Sequence, residues 1–141
     1  MIELGDEKVL YAFDKELEPA LVVPSGATVR VRTKDCFGNQ VQRPEDELDE
    51  IDWDHINPAT GPIFVEGAVP GGALKVTIEA IEFDGQTASC TGEGEGVCGD
   101  RFDAWSTHLC KIDGDELVWD EELRIPLCPM TVSYTQLRAH E

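Results

Sequence analysis

The chain has 141 residues, of which 29 are Asp or Glu and 11 are Lys or Arg, giving a formal net charge of -18 and a pI near 4.3. Such a surface repels nucleic acid and anionic membranes, so neither is expected as a partner. The length suits one domain with a sizeable core, no apolar run is long enough to span a membrane, and the amino end MIELGDEKVL lacks a basic stretch followed by a hydrophobic core, so a cytosolic (cytoplasmic) protein is expected.

Lys8 to Phe13 reads as a first short strand, Asp14 to Pro19 as a polar turn, and Ala20 to Val23 as a second strand closed by Pro24, Ser25 and Gly26. Thr28 to Thr33 alternates, with Val29 and Val31 on one face and Arg30 and Arg32 on the other, as a half-buried strand does. Asp35 stands where this strand opens into a turn favoured by Gly38 and Asn39. Two readings of Asp35 follow from the residues: a turn-capping aspartate, or a carboxylate whose backbone is fixed by the strand while its tip is left accessible in a cleft.

Arg43 to Asn57 is dense in carboxylates, with Leu48 and Ile51 three apart and Pro44 suited to a first helical position. One short amphipathic helix with a solvated acidic face is the expectation. A calcium loop would need D-x-D-x-D-G order and a terminal Glu, which are missing. His55 is read as capping the helix end rather than as a ligand.

Asn57 to Gly72, NPATGPIFVEGAVPGG, combines rigid turn chemistry with a short apolar run. The steps Asn57-Pro58 and Gly61-Pro62 push their first residues out of the right-handed helical region towards an extended loop, and Ile63 to Val65 is long enough for one buried strand. The longest strand signal follows in ALKVTIEAIEF, where Leu74, Val76, Ile78 and Ala80 share a face and the phase slips at Ile81 and Phe83. Asp84-Gly85 reads as a hairpin turn from which Gln86 to Thr91 returns antiparallel.

The run GEGEGVCGD, Gly92 to Asp100, has no Lys-Ser/Thr ending, and its glutamates would repel phosphate. Phe102 and Trp105 are apolar anchors, and Thr107 to Ile112 with Glu116 to Trp119 flank a hairpin turn at Asp113-Gly114-Asp115. His108 lies within that hairpin and is read as structural. Five cysteines, Cys36, Cys90, Cys98, Cys110 and Cys128, lack C-x-x-C spacing, so buried free thiols are expected rather than a zinc cluster or disulfides. Short strands joined by Gly, Pro and Asp turns predict a mainly β chain: an antiparallel β-sandwich or barrel-like domain with one short acidic helix.

Three stretches in order resemble the acetamidase/formamidase family of amide hydrolases: TKDCFGNQ with Asp35, Cys36 and Gln40, the NPATGPIFVEGAVPGG run, and Arg124 to Leu127. The match runs from about Leu10 to Met130 and is similar to roughly the first half of a family member. The resemblance implies a mainly β amino-terminal domain over residues 1–130 and hydrolysis of small linear amides, formamide or acetamide, to the acid and ammonia. It implies Asp35 as catalytic base or metal ligand, with a divalent metal ion, zinc or calcium, as cofactor. Gln40 and Asn57 would orient the substrate or Asp35, Thr60 and Gly61 would shape the loop that binds substrate, and the Gly-rich run would lie at the cleft or cover it. Cys36 is the thiol to test as a nucleophile, and a homo-oligomer is expected at full length. Val69, Gly72 and Cys128 depart from the family pattern, as does Val9 or Leu10 where some relatives carry a histidine. After Pro129-Met130 the resemblance stops, and TVSYTQLRAHE resembles a translated sequencing-library adaptor, differing at Gln136; residues 131–141 are therefore expected to be a non-native tail without functional residues. A non-catalytic β module, binding a small ligand or serving as an assembly surface, is the alternative.

The carboxylate excess is of the kind halophiles use, since high salt screens the self-repulsion that strains the fold in dilute buffer. Unfolding midpoints measured by circular dichroism are expected to rise steadily from dilute to molar KCl; a flat midpoint over that range would mark an ordinary acidic protein.

Overall fold

The fold is that of a computed structural model, which describes residues 1–83 and 85–128. It is mainly β, as expected, with ten short strands among the described residues. These are β1 (Ile2–Leu4), β2 (Val9–Leu10), β3 (Leu21–Val23), β4 (Val29–Val31), β5 (Ala59–Thr60), β6 (Ile63–Val65), β7 (Gln86–Thr91), β8 (Ser106–Asp113), β9 (Glu116–Val118) and β10 (Arg124–Pro126). The carboxyl-terminal strands form one antiparallel sheet in the order β10-β9-β8-β7, and the others form the pairs β1-β4, β2-β5 and β3-β6.

Two parts of the expected architecture are corrected. The sheets do not close into a barrel, and two of the pairs, β1-β4 and β3-β6, are parallel rather than antiparallel. Parallel partners cannot be joined by a tight turn, so these pairs tie residues far apart in the chain, such as Val23 and Val65. The acidic helix is not formed either: between Pro44 and Asn57 the chain makes turns and a single 3-10 turn at Trp53–His55. Seven of the ten residues 45–54 are carboxylates, and like charges at helical spacing destabilise a helix. Aspartates in the run also bond nearby backbone N–H groups, which competes with helical hydrogen bonding. Asp46 Oδ2 accepts from the N–H groups of Gln42 and Arg43 at 2.9 Å each.

The carboxyl-terminal sheet follows its sequence signals closely. In the β8-β9 hairpin Asp113 pairs with Glu116, leaving Gly114-Asp115 as a two-residue loop, and Gly114 has φ +60°, the left-handed conformation that primed hairpin turns require. His108 on β8 stacks on Trp119 with centroids 4.4 Å apart, and its Nε2–H donates to the Trp119 carbonyl at 2.7 Å, so its role is structural. The long strand expected from Leu74 is absent, because a strand exists only by sharing a ladder with a neighbour and none lies beside it among the described residues. The expected turn at Asp84 and the tail boundary lie outside the described residues.

The core is small. Among the described residues, Leu4, Val23, Val41, Leu48 and Cys110 are its buried apolar side chains. Ile63 and Phe64 of β6, expected inside, are exposed. Val41 and Leu48 belong to the segment that joins the amino-terminal pairs to the large sheet. There, the Thr107 hydroxyl donates to the Asp46 carbonyl at 2.9 Å and the Gln86 carboxamide donates to the Gln42 carbonyl at 3.2 Å. All five cysteines are free, but only Cys110 is buried, whereas Cys36, Cys98 and Cys128 are exposed.

So small a core concentrates stability in few side chains. Leu48, 4% exposed, should lose about 2–4 kcal/mol of stability on substitution to Ala. Leu74, 63% exposed, should change stability by less than about 0.5 kcal/mol under the same substitution. Urea unfolding of the two variants checks the contrast.

Candidate active site

The loop after β4 is closed by its own side chains. Asp35 Oδ1 accepts from the Asn39 N–H at 2.7 Å, and Asn39 Oδ1 accepts from the Asp35 N–H at 3.0 Å. Gly38 and Asn39 have φ +68° and +63°, so the chain reverses through two left-handed residues. The Gln40 carboxamide then fastens this loop to the next. Its N–H groups donate to the carbonyls of Phe37 at 2.9 Å and Asp52 at 3.2 Å, while its oxygen accepts the Asp52 N–H at 2.7 Å.

A second fastening lies beside it, where the Asn57 N–H donates to the Cys36 carbonyl at 2.7 Å. Asn57 is left-handed, with φ +52°, so the step before Pro58 does leave the right-handed helical region but is not extended. Thr60 on β5 pairs with Val9 and donates its hydroxyl to the Arg32 carbonyl at 2.8 Å. Gly61 is buried, its N–H donates to Lys8 O at 3.2 Å, and the Gly61-Pro62 peptide bond is cis. The structure therefore brings the Asp35–Gln40 loop against the Asp52–Asn57 segment, and Thr60 against the end of β4. The Gln40 amide is engaged with backbone, and Asp35 and Asn57 are exposed.

Two residues in this cluster were not singled out as functional from the sequence. His55 Nδ1 lies 2.6 Å from Asp52 Oδ2, and a carboxylate can only accept, so Nδ1 carries the hydrogen. The His55 ring also meets the edge of Tyr11 at a centroid distance of 4.8 Å. Asp52 caps the 3-10 turn as well, accepting the Asp54 N–H at 3.0 Å, and its carboxyl is held below the usual range, first by the bond to His55. The signal was the D-x-x-H spacing immediately before the Asn-Pro step.

Burial pushes the Cys36 thiol up, with the neighbouring Asp35 charge adding to it, although the residue as a whole is exposed. A scarce thiolate argues against Cys36 as an activated nucleophile. For a metal, Asp35 offers one ligand, and the described residues contain no grouping of three or more His, Cys, Asp and Glu side chains that could hold an ion. A shallow hollow of about 330 Å³ opens beside the Gln40 clamp, lined by Gln40, Asp46, Glu47, Glu50 and Ile51. Another of about 460 Å³ lies within the Gly-rich run, lined by residues from Glu93 to Phe102.

The fold has counterparts among solved acetamidases. The chain superposes on an acetamidase from Bacillus halodurans with a TM-score of 0.83 and 38% identity, covering 89% of this chain and 42% of that one. A predicted acetamidase/formamidase from Thermoanaerobacter tengcongensis gives 0.81 and 43% with the same coverage. An acetamidase from Yersinia enterocolitica, 17% identical with a TM-score of 0.65, shares the fold. No curated protein matches the chain. The profile of the Acetamidase/Formamidase family matches residues 4–114, and the chain belongs to that family. Amide hydrolysis is thereby supported at the level of the family.

A Cβ at Gly38 would sit 3.1 Å from the His55 carbonyl in a backbone with φ +68°. Gly38→Ala should therefore cost about 1–3 kcal/mol and loosen the two loops, visible as faster hydrogen exchange at the Asp52 and Asn57 amides. The Asp52 pair adds a pH dependence. Because its folded pKa is depressed, its stabilisation is present above the ordinary carboxylate range and is lost as pH falls through the folded value. The Asp54 amide should lose protection in acid, and Asp52→Asn should flatten that response.

Proposed function

We propose that this chain is the amino-terminal part of a hydrolase of small linear amides, formamide or acetamide, releasing the carboxylic acid and ammonia. The observation that most supports this is 38% and 43% identity to two solved chains, described as an acetamidase and as a predicted acetamidase/formamidase, across 89% of its length. The chain spans 42% of the length of those proteins, and we infer that the 141 residues supply only part of the constellation the reaction needs and are inactive alone.

Asp35 is the residue assigned to the chemistry. Its Oδ1 is occupied by the Asn39 N–H, which fixes the carboxylate and leaves Oδ2 to take a proton from the attacking water. Gln40, whose amide bonds backbone on both sides, is a positioning residue that holds the Asp35 loop to Asp52. Asn57 offers its carboxamide to the substrate from a fixed left-handed backbone. Thr60 and Gly61 shape the floor of the loop through their bonds to Arg32 and Lys8. A divalent ion, zinc or calcium, would be held in part by Asp35 and take its other ligands from beyond the described residues, where it would supply Lewis acidity toward water or the amide carbonyl.

Asp35→Asn tests the assignment cleanly, because the amide oxygen can still accept from Asn39 while the charge and basicity are gone. In a full-length protein made by joining this chain to the carboxyl-terminal part of a relative, ammonia release from formamide should fall by about 10²–10⁴-fold with an unchanged circular dichroism spectrum. Normal turnover by the folded variant would remove Asp35 from the chemistry.

A further inference from the structure

We propose that Asp52 and His55 form a proton-transfer pair in which His55 Nε2 delivers a proton to the departing nitrogen of the amide. The assignment rests on the amide-hydrolysis reading and adds a group which that reading lacks. Two protons must move in this reaction: one leaves the attacking water, and one must reach the nitrogen before the C–N bond breaks, because NH2⁻ is too basic to leave. Asp35 Oδ2 takes the first, and the second needs a donor.

The imidazole is held from two sides. Its Nδ1–H donates to Asp52 Oδ2 at 2.6 Å, and Tyr11 meets it edge-on at a centroid distance of 4.8 Å with the ring planes at 81°. The pairing of Leu10 with Ala59 in β2-β5 brings Tyr11 to this segment. Asp52 is bonded at every polar atom: its N–H and carbonyl by the Gln40 carboxamide, Oδ1 by the Asp54 N–H and Oδ2 by His55. Because an ionised Asp52 only accepts, Nδ1 keeps its hydrogen in both states of the ring, and the proton that comes and goes is the one on Nε2. Nε2 has no hydrogen-bond partner among the described residues.

The pair also lies against the loop that carries Asp35. The Asn57 N–H reaches the Cys36 carbonyl at 2.7 Å, and the His55 carbonyl stands 3.1 Å from where a Cβ on Gly38 would be. With side chains 58% and 56% exposed, His55 and Asp52 are screened by water and contribute little to stability as an ion pair. What their bonding fixes is a tautomer and a direction, which a proton donor needs.

In the reaction the water oxygen bonds to the carbonyl carbon as Asp35 takes its proton. The protonated ring then gives its Nε2 proton to the nitrogen, the C–N bond breaks, and acid and ammonia leave. Transfer of the proton from Asp35 to Nε2 through solvent restores both groups, so the net change is amide plus water to acid plus ammonia. Here His55 is the catalytic residue and Asp52 a positioning residue.

Two measurements test this. In the 141-residue chain, nitrogen NMR of the neutral His55 ring should show hydrogen on Nδ1 and a bare Nε2, and Asp52→Asn should remove that preference. In the joined full-length protein, His55→Gln should lower ammonia release from formamide about 100-fold at neutral pH. It should also abolish the fall in rate at alkaline pH that loss of the donor proton causes. The other titratable groups on the elements packed about the ring are Asp52 and Asp54 on its own turn, Tyr11 after β2, and Asp35 and Cys36 on the opposing loop, and an alkaline fall due to any of them would survive in His55→Gln. The proposal is overturned by an Nε2–H tautomer, by wild-type turnover in His55→Gln, or by a loss of turnover that leaves the alkaline fall in place. A folded joined protein that releases no ammonia with Asp52 and His55 intact would instead remove the amide-hydrolysis reading, and this assignment with it.

Discussion

The described part of the site depends on one side chain, the carboxamide of Gln40. It has two N–H donors and one oxygen, and all are used: the donors on the carbonyls of Phe37 and Asp52, the oxygen on the Asp52 N–H. Each such bond contributes about 1 kcal/mol net, but together they hold two loops in register, which no apolar contact of similar strength would do. The consequences run outward from it. Asn57 reaches Cys36, the His55 carbonyl comes within van der Waals reach of Gly38, and Asp52 is held where it both caps the 3-10 turn and bonds His55.

The rest of the fold divides by how its contacts are made. The sheet β7-β8-β9-β10 is built between chain neighbours through turns, so it needs little from the rest of the molecule. The amino-terminal pairs join residues distant in sequence and bury few side chains, Leu4 and Val23 among them. The segment from Val41 to Leu48 connects the two, with Asp46 bonded to Gln42 and Arg43 through its carboxylate and to Thr107 through its carbonyl. The exposed ion pairs, such as Arg124 with Asp113 and Glu116 or Arg30 with Glu82, contribute little beside these.

How much could be read from the sequence follows the same division. The β8-β9 hairpin was legible because Gly114 and the flanking alternation are local signals. The strand at Ile63–Val65 was legible in position, but its parallel pairing with β3 was not, since nothing local encodes a partner 42 residues away. The segment from Leu74 shows the converse: its alternation describes a strand, yet no neighbour among the described residues offers it a ladder. In the acidic run, apolar spacing and Pro44 suggested a helix, and charge repulsion with aspartate-to-backbone bonding overrode it. At the site, TKDCFGNQ and NPATGP marked the two loops, whereas the engagement of Gln40 with Asp52 required the tertiary structure.

The aspartates also show why two readings of Asp35 are compatible. Asp14, Asp35, Asp46, Asp52 and Asp120 each accept a backbone N–H two to four residues away. No glutamate does so in the described turns, because the longer arm is poorly placed to close on its own backbone. Part of the chain's negative charge, five of its 29 carboxylates, is thus structural as well as solvating, and in Asp46 and Asp120 backbone bonds are the leading reason the carboxyl is held low. A cap occupies one carboxylate oxygen. In Asp35 that oxygen is Oδ1, and capping with it restricts the side-chain torsions, so the other oxygen is held in a defined direction. A turn-capping aspartate after a strand therefore does not compete with one that acts on a water or substrate; the cap would supply the preorganisation that such chemistry needs.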